Sequence, residues 1–221
     1  VGRLAAADDV AARALRDLQA ASLEKVDAAA STASLMGIEG SAAAAWYAWL
    51  GAWLPERWRF NGRNRRPPRD PANALLSLGY TLLAGEVLRA VQEQGLDPAL
   101  GYLHGIVPGR ESLVLDLMEP LRPSVDCFVI GLLDEVLLPT QFTYSARDGC
   151  RLNKGGRAQF YREWAIARSD WPDLGDGTGA PHNLPAEVGE SGSSLPALCR
   201  QQVERLRAKV RSHLPREAAD G

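Results

Sequence analysis

One histidine and three carboxylates stand out, because each sits in an apolar, glycine-rich setting where a lone charge is costly. His104 lies in the stretch GLDPALGYLHG at 95–105, a turn flanked by glycines. Asp116 and Glu119 follow twelve and fifteen residues later, on one short segment shared with Leu115, Leu117 and Met118. Three residues apart, the two acids share a face if that segment is helical. Glu39 stands upstream in MGIEG at 36–40. Carboxylates with an imidazole suit Mg2+ or Mn2+, water and phosphate oxygens filling the remaining positions. Such an ion polarises a phosphodiester, stabilises a leaving oxygen or activates a hydroxyl. Each residue also has an ordinary reading. A histidine in a turn is often structural, an i, i+3 acid pair is often a solvated face, and Glu39 could be an acid at a helix start.

A basic stretch lies between Glu39 and His104. From Arg57 to Arg69 there are six arginines and no acid. Charge of that density attracts a phosphate backbone whatever the base sequence. The candidates for nucleic-acid contact are Arg63, Arg65 and Arg66 in this loop, Arg110 near the histidine, and a weaker spot at Lys154 and Arg157. Trp58 and Phe60 could stack on bases, or they could anchor a plain connector. Gly155-Gly156 is no phosphate loop, since neither GxxxxGK[ST] nor a strand accompanies it.

These residues need elements to hold them. Residues 8 to 35 read as one long helix, and SAAAAWYAWLGAWL at 41–54 as a second that Pro55 helps to stop. Asp70 caps the next helix, with Pro71 at its first position. That helix aligns Leu75, Leu76, Gly79, Leu82, Leu83, Val87, Ala90 and Val91, and Gly95 ends it. Ser112 is placed to cap the segment carrying Asp116 and Glu119, and Pro120 predicts a break between 120 and 123. An apolar helix resumes at 124–138. A turn at Gly149-Cys150 and a helix with Phe160, Tyr161 and Trp164 follow. The Gly, Pro and Ser-rich stretch 172–194 reads as a mobile loop, and Pro196 to His213 as a basic amphipathic helix. No period-2 strand is evident, so the expected fold is all-α. The organisation expected is an N-terminal helix (1–36), a helical core (37–171), the loop (172–194) and a basic helix with a tail (195–221).

Composition sets outer limits. With 221 residues and 46% hydrophobic content, one domain with appendages is expected. No apolar run reaches the ~18 residues of a membrane span, so no membrane partner is expected. Cys127, Cys150 and Cys199 form neither a zinc pattern nor a disulfide framework, which fits a reducing cytoplasm. The chain opens on Val1 with no signal peptide, as a piece of a longer polypeptide would.

The residues quoted above resemble the CRISPR-associated integrase family, the first-numbered Cas protein, which captures new spacers. The matching text is GIEG at 37–40, NGRNRRPPRDPANALLSLGYTLL at 61–83, GLDPALGYLHG at 95–105 and GRESLVLDLMEPLRP at 109–123. Phe142, GCRL and the GR..FY element close it by 161. The match runs in order from about residue 30 to 165, and no single short pattern carries it. It implies the family's helical catalytic domain, with Mg2+ or Mn2+ held by Glu39, His104 and Glu119, and Asp116 as the adjacent acid. It implies transesterification, in which a DNA 3′-hydroxyl attacks a phosphodiester at a CRISPR repeat. The implied partners are prespacer and repeat DNA, a second copy in the full-length protein, and the small second adaptation protein. One departure is visible: only 36 residues precede GIEG and they read as helical, whereas family members carry an N-terminal β-rich domain that makes much of the dimer. Truncation or fusion, for example to a reverse transcriptase, would account for it. The rival readings are a non-catalytic helical DNA-binding subunit and a hydrolase of small phosphate esters. The long arginine loop speaks against the second.

Overall fold

The computed structural model describes residues 10–171 and 193–213. Its helices are α1 (Val10–Asp27), α2 (Thr32–Trp53), α3 (Pro71–Glu93), α4 (Ser112–Met118), α5 (Arg122–Gly131), α6 (Lys154–Ser169) and α7 (Leu195–His213). One antiparallel hairpin joins β1 (Phe142–Ser145) to β2 (Gly149–Leu152), pairing Phe142 with Leu152 and Ser145 with Gly149. The protein is therefore mostly helical, as expected, but not wholly so. Four-residue strands, one showing a single inward side chain, are too short to display a period-2 signal.

The chain divides into two compact units, with α3, α5 and α6 each contributing residues to both. The described part of the first comprises residues 10–77 and 129–160. In it α1 packs on α2. The single helix expected over 8–35 is broken, because the Ser31 hydroxyl accepts from the Ser34 N–H (3.1 Å) and starts a new helix. Helix α2 then runs straight through GIEG, so Glu39 is exposed and mid-helix rather than an acid at a helix start. A Cβ at Gly37 or Gly40 would meet nothing, so neither glycine marks a tight turn. Trp49, Leu50, Leu54, Trp58, Leu75, Leu76, Ile130, Leu133 and Phe160 are among this unit's buried apolar residues.

The arginine loop belongs to this unit and is fastened at several points. Asp70 Oδ1 caps α3 by accepting from the Asn73 N–H at 2.9 Å, as its sequence position predicts. Asn73 Oδ1 accepts from the Asn64 N–H, and Asn64 Oδ1 from the Arg69 N–H. Cys150 of β2 donates its N–H to the Pro68 carbonyl at 2.7 Å.

The described part of the second unit comprises residues 78–128, 161–171 and 193–213. Leu83, Val87, Ala90, Val91, Leu113, Leu117, Val125, Trp164, Trp171, Leu195, Leu198 and Val203 are buried in it. The Trp171 indole N–H donates to the Ser124 hydroxyl at 2.7 Å. Burial alone would push the Glu86 carboxyl up, but Arg168 and Arg89 together outweigh it and hold the group below the usual carboxylate range. Helix α3 as a whole is long and apolar enough to cross a membrane, which the absence of an ~18-residue apolar run did not suggest. Of the apolar positions expected on it, all but the half-buried Leu82 are buried, as in a core helix, although Leu78 and Leu88 are also half-buried. The sequence segment 172–194 falls, but for Ser193 and Ser194, outside the described residues, as does the tail from 214.

Candidate metal centre

The centre of the site is Asp116. Its side chain is fully buried on α4, and it accepts hydrogen bonds from four groups of one loop. The backbone N–H groups of Tyr102 and Leu103 reach Oδ2 at 2.5 and 2.9 Å. The N–H of His104 reaches Oδ1 at 2.9 Å, and its ring Nδ1 lies 2.6 Å from the same oxygen. A buried carboxylate with this many donors is satisfied without a counter-ion. An ionised carboxylate can only accept, so Nδ1 carries the proton. In the neutral ring the Nε2 lone pair is then bare. This is the arrangement by which a carboxylate orients a metal-binding imidazole. The His104 side chain is 18% exposed, so its ring is accessible.

The loop has little slack. Leu113 donates its N–H to the Pro98 carbonyl at 2.9 Å, and the Ser112 hydroxyl donates to the Gly105 carbonyl at 2.8 Å. Ser112 is thus the first residue of α4 rather than its cap, a correction to its expected role. Glu111 occupies the cap position without a side-chain bond. Arg110 donates to both the Gly105 carbonyl and the Ser112 hydroxyl, so its guanidinium closes the loop. Gly101 went unnoticed in the sequence. A Cβ there would lie 2.5 Å from the His104 carbonyl, 2.7 Å from Ser112 Cβ and 2.8 Å from Asp116 Oδ2. Two of these three atoms belong to the site itself. Gly101→Ala is expected to shift the His104 resonances in an NMR spectrum. It should also cost roughly 1–3 kcal/mol in urea unfolding. An unmoved His104 signal would show that the loop is looser than drawn.

Glu119 opens a 3-10 turn, Glu119–Leu121, that carries Pro120 and separates α4 from α5, as the proline predicts. Arg122 Nε lies 3.0 Å from Glu119 Oε2, an ion pair without hydrogen-bond alignment. The same guanidinium lies over the Tyr80 ring at 5.0 Å, and the Tyr80 hydroxyl donates to Asp126. Burial and then the carboxylates of Asp116 and Glu119 push the Tyr102 phenol up, so both acids act on one neighbour.

The structure thus joins His104 to Asp116, with Glu119 in the same unit, while Glu39 stands on α2 in the other. No three Asp, Glu, His or Cys side chains close into a metal cage among the described residues. Arg63 is turned inward, its guanidinium bonded to the Asn64 carbonyl, Asn73 Oδ1 and Ser77. Arg65, Arg66, Lys154 and Arg157 are exposed.

The sequence profile described as CRISPR associated protein Cas1 matches residues 3–165, and the chain belongs to that family. A CRISPR-associated endonuclease Cas1 from Thermus thermophilus is 45% identical over 132 residues, 59% of this chain and 40% of that one. Among solved structures, a casposase bound to integration product superposes with a TM-score of 0.71 at 26% identity, over 88% of this chain and 52% of that one. A chain of a Cas6-RT-Cas1–Cas2 complex gives 0.72 at 26% identity, over 91% of this chain and 20% of that one. The chain spans about two fifths of the length of the curated relatives it matches.

Proposed function

We propose that this chain is the catalytic domain of a metal-dependent DNA integrase and endonuclease of CRISPR spacer acquisition. The observation that carries the reading is the Asp116–His104 clamp, which fixes the imidazole through Nδ1 and leaves its other nitrogen to act as a ligand. Imidazole nitrogen and carboxylate oxygen form a donor set that suits Mg2+ or Mn2+. His104, Glu119 and Glu39 are the residues that would hold the ion. When bound, it supplies Lewis acidity at the phosphodiester. Asp116 is a positioning residue, since its oxygens are already committed to the loop. Arg122 balances the charge of Glu119. In the joining step a DNA 3′-hydroxyl attacks phosphorus at the CRISPR repeat: a new P–O bond forms, the P–O bond to the 3′-oxygen of the cut strand breaks, and that oxygen leaves as a hydroxyl, gaining a proton as the attacking hydroxyl loses one. Family membership and the likeness to a casposase holding an integration product support this step.

Exposed arginines of the loop, Arg65 and Arg66, with Lys154 and Arg157, contact the DNA backbone. Arg63 serves the same surface indirectly, by bracing the arginine loop, and Arg110 instead braces the histidine loop. A second copy and the small adaptation protein complete the assembly, and the likeness to a chain of a Cas6-RT-Cas1–Cas2 complex supports the latter. The test is strand joining by the full-length protein on a repeat-containing duplex. Joining in Mg2+ or Mn2+, abolished by EDTA and restored by the ion, is expected. Binding of DNA without joining in either ion would leave a non-catalytic DNA-binding subunit.

A further inference from the structure

We infer that the β1–β2 hairpin is part of the DNA-binding surface, with Arg147 and Arg151 as backbone-phosphate contacts. This rests on the reading of the chain as an enzyme acting on DNA. The hairpin is invisible in the sequence, and neither arginine belongs to the loop that suggested nucleic acid.

Three observations place it there. First, the arginine loop is seated on the hairpin. The Cys150 N–H donates to the Pro68 carbonyl at 2.7 Å. A Cβ on Gly149 would come within 2.1 Å of that carbonyl and 2.9 Å of Pro67 Cβ. Gly149 also has φ +71°, a conformation that costs glycine little. Pro68 and Cys150 are thereby neighbours, and Arg69 and Arg151 follow them directly in the chain. Two residues joined by such a bond have Cα atoms roughly 5 Å apart, so their neighbours lie close together as well. Second, the hairpin runs without a break into the other basic spot. Asn153 donates its N–H to the Gln141 carbonyl and accepts from the Gly156 N–H, which fixes the start of α6 just after β2. Lys154 and Arg157 are in its first turns. Third, the charge is one-sided. Residues 54–77 and 139–160 hold ten Arg and Lys (Arg57, Arg59, Arg63, Arg65, Arg66, Arg69, Arg147, Arg151, Lys154, Arg157) against three acids, Glu56, Asp70 and Asp148. Asp70 is buried and engaged in capping. Asp148 pairs with Arg151 at 3.0 Å, but both side chains are solvent-exposed and such a pair is weak.

Loop, hairpin and helix start form a braced basic surface. Spaced point charges on a rigid frame match a sugar-phosphate backbone, which needs no base recognition. Arg147 at the hairpin tip and Arg151 on β2 are both exposed, so either can be replaced without disturbing the buried set.

The experiment titrates the full-length protein with two unrelated duplexes across a salt series. The proteins compared are wild type, R147A/R151A, R147K/R151K and R65A/R66A, each checked for unchanged thermal unfolding. The R147A/R151A variant is expected to bind both duplexes more weakly by similar factors. Its slope of log K against log salt should be shallower by one to two units, since each phosphate contact contributes about 0.9. The lysine variant should keep most of the slope. A wild-type slope for R147A/R151A beside a shallower one for R65A/R66A overturns the hairpin inference and leaves the DNA reading standing. Wild-type slopes in both overturn the hairpin inference too, and remove the arginine loop from the DNA path.

Discussion

Full-length protein carrying His104→Ala or Glu119→Ala is expected to lose strand joining by more than about a hundredfold in Mg2+ or Mn2+. Loss of an orienting group alone costs 10- to 100-fold, so loss of a proposed ligand should cost more. Glu39→Ala should match them in activity, although it lies on an exposed face of α2 in the other unit. The three differ in stability, which separates chemistry from folding. Glu39→Ala removes an exposed side chain, and its unfolding should stay within about 0.5 kcal/mol of wild type. His104→Ala deletes one of the bonds to Asp116 but leaves three backbone donors in place, a loss of about 1–3 kcal/mol. The measurement is joining of a labelled 3′-hydroxyl strand, paired with urea unfolding. Joining at the wild-type rate by folded His104→Ala protein would defeat the site assignment.

Asp116→Ala carries the largest expected cost to folding. It leaves the N–H groups of Tyr102, Leu103 and His104 and the ring Nδ1–H without their acceptor. Removing the central partner of a buried charged network costs roughly 3–5 kcal/mol. Asp116→Asn is the gentler probe: one oxygen remains to accept, but the amide N–H2 faces donors. It should lose about half as much stability, with joining reduced 10- to 100-fold. Because Asp116 acts through His104, the Mn2+ concentration for half-maximal joining should rise in Asp116→Asn. A merely structural residue would lower the amount of folded enzyme and leave that concentration unchanged. Wild-type stability and wild-type metal dependence in Asp116→Asn would show that another group orients the ring.

Much of the helical frame was legible in the residues. Asp70-Pro71 and Gly95 bound α3, and Pro120 breaks the chain after Glu119, because capping, φ restriction and loss of an N–H act within a few residues. The helix break at Ser31 was masked by the alanines and threonine around it, which favour no particular stop. The hairpin was hidden for a different reason. Its strands are only four residues each, too short to show a period, and they are seated by the Pro68 carbonyl, a partner far away in sequence.

For the site, residue types alone pointed to His104, Asp116, Glu119 and Glu39, since charge in apolar surroundings needs a partner wherever the chain goes. The sequence could not divide the roles among them. That Asp116 is a buried acceptor for the histidine loop, that Gly101 leaves the space it needs, and that Arg63 and Arg110 brace loops are all tertiary facts. A carboxylate or a guanidinium has the same chemistry in any chain. Which donors and acceptors come within 3 Å of it depends on how segments ten or more residues apart are folded together, and only the assembled structure decides that.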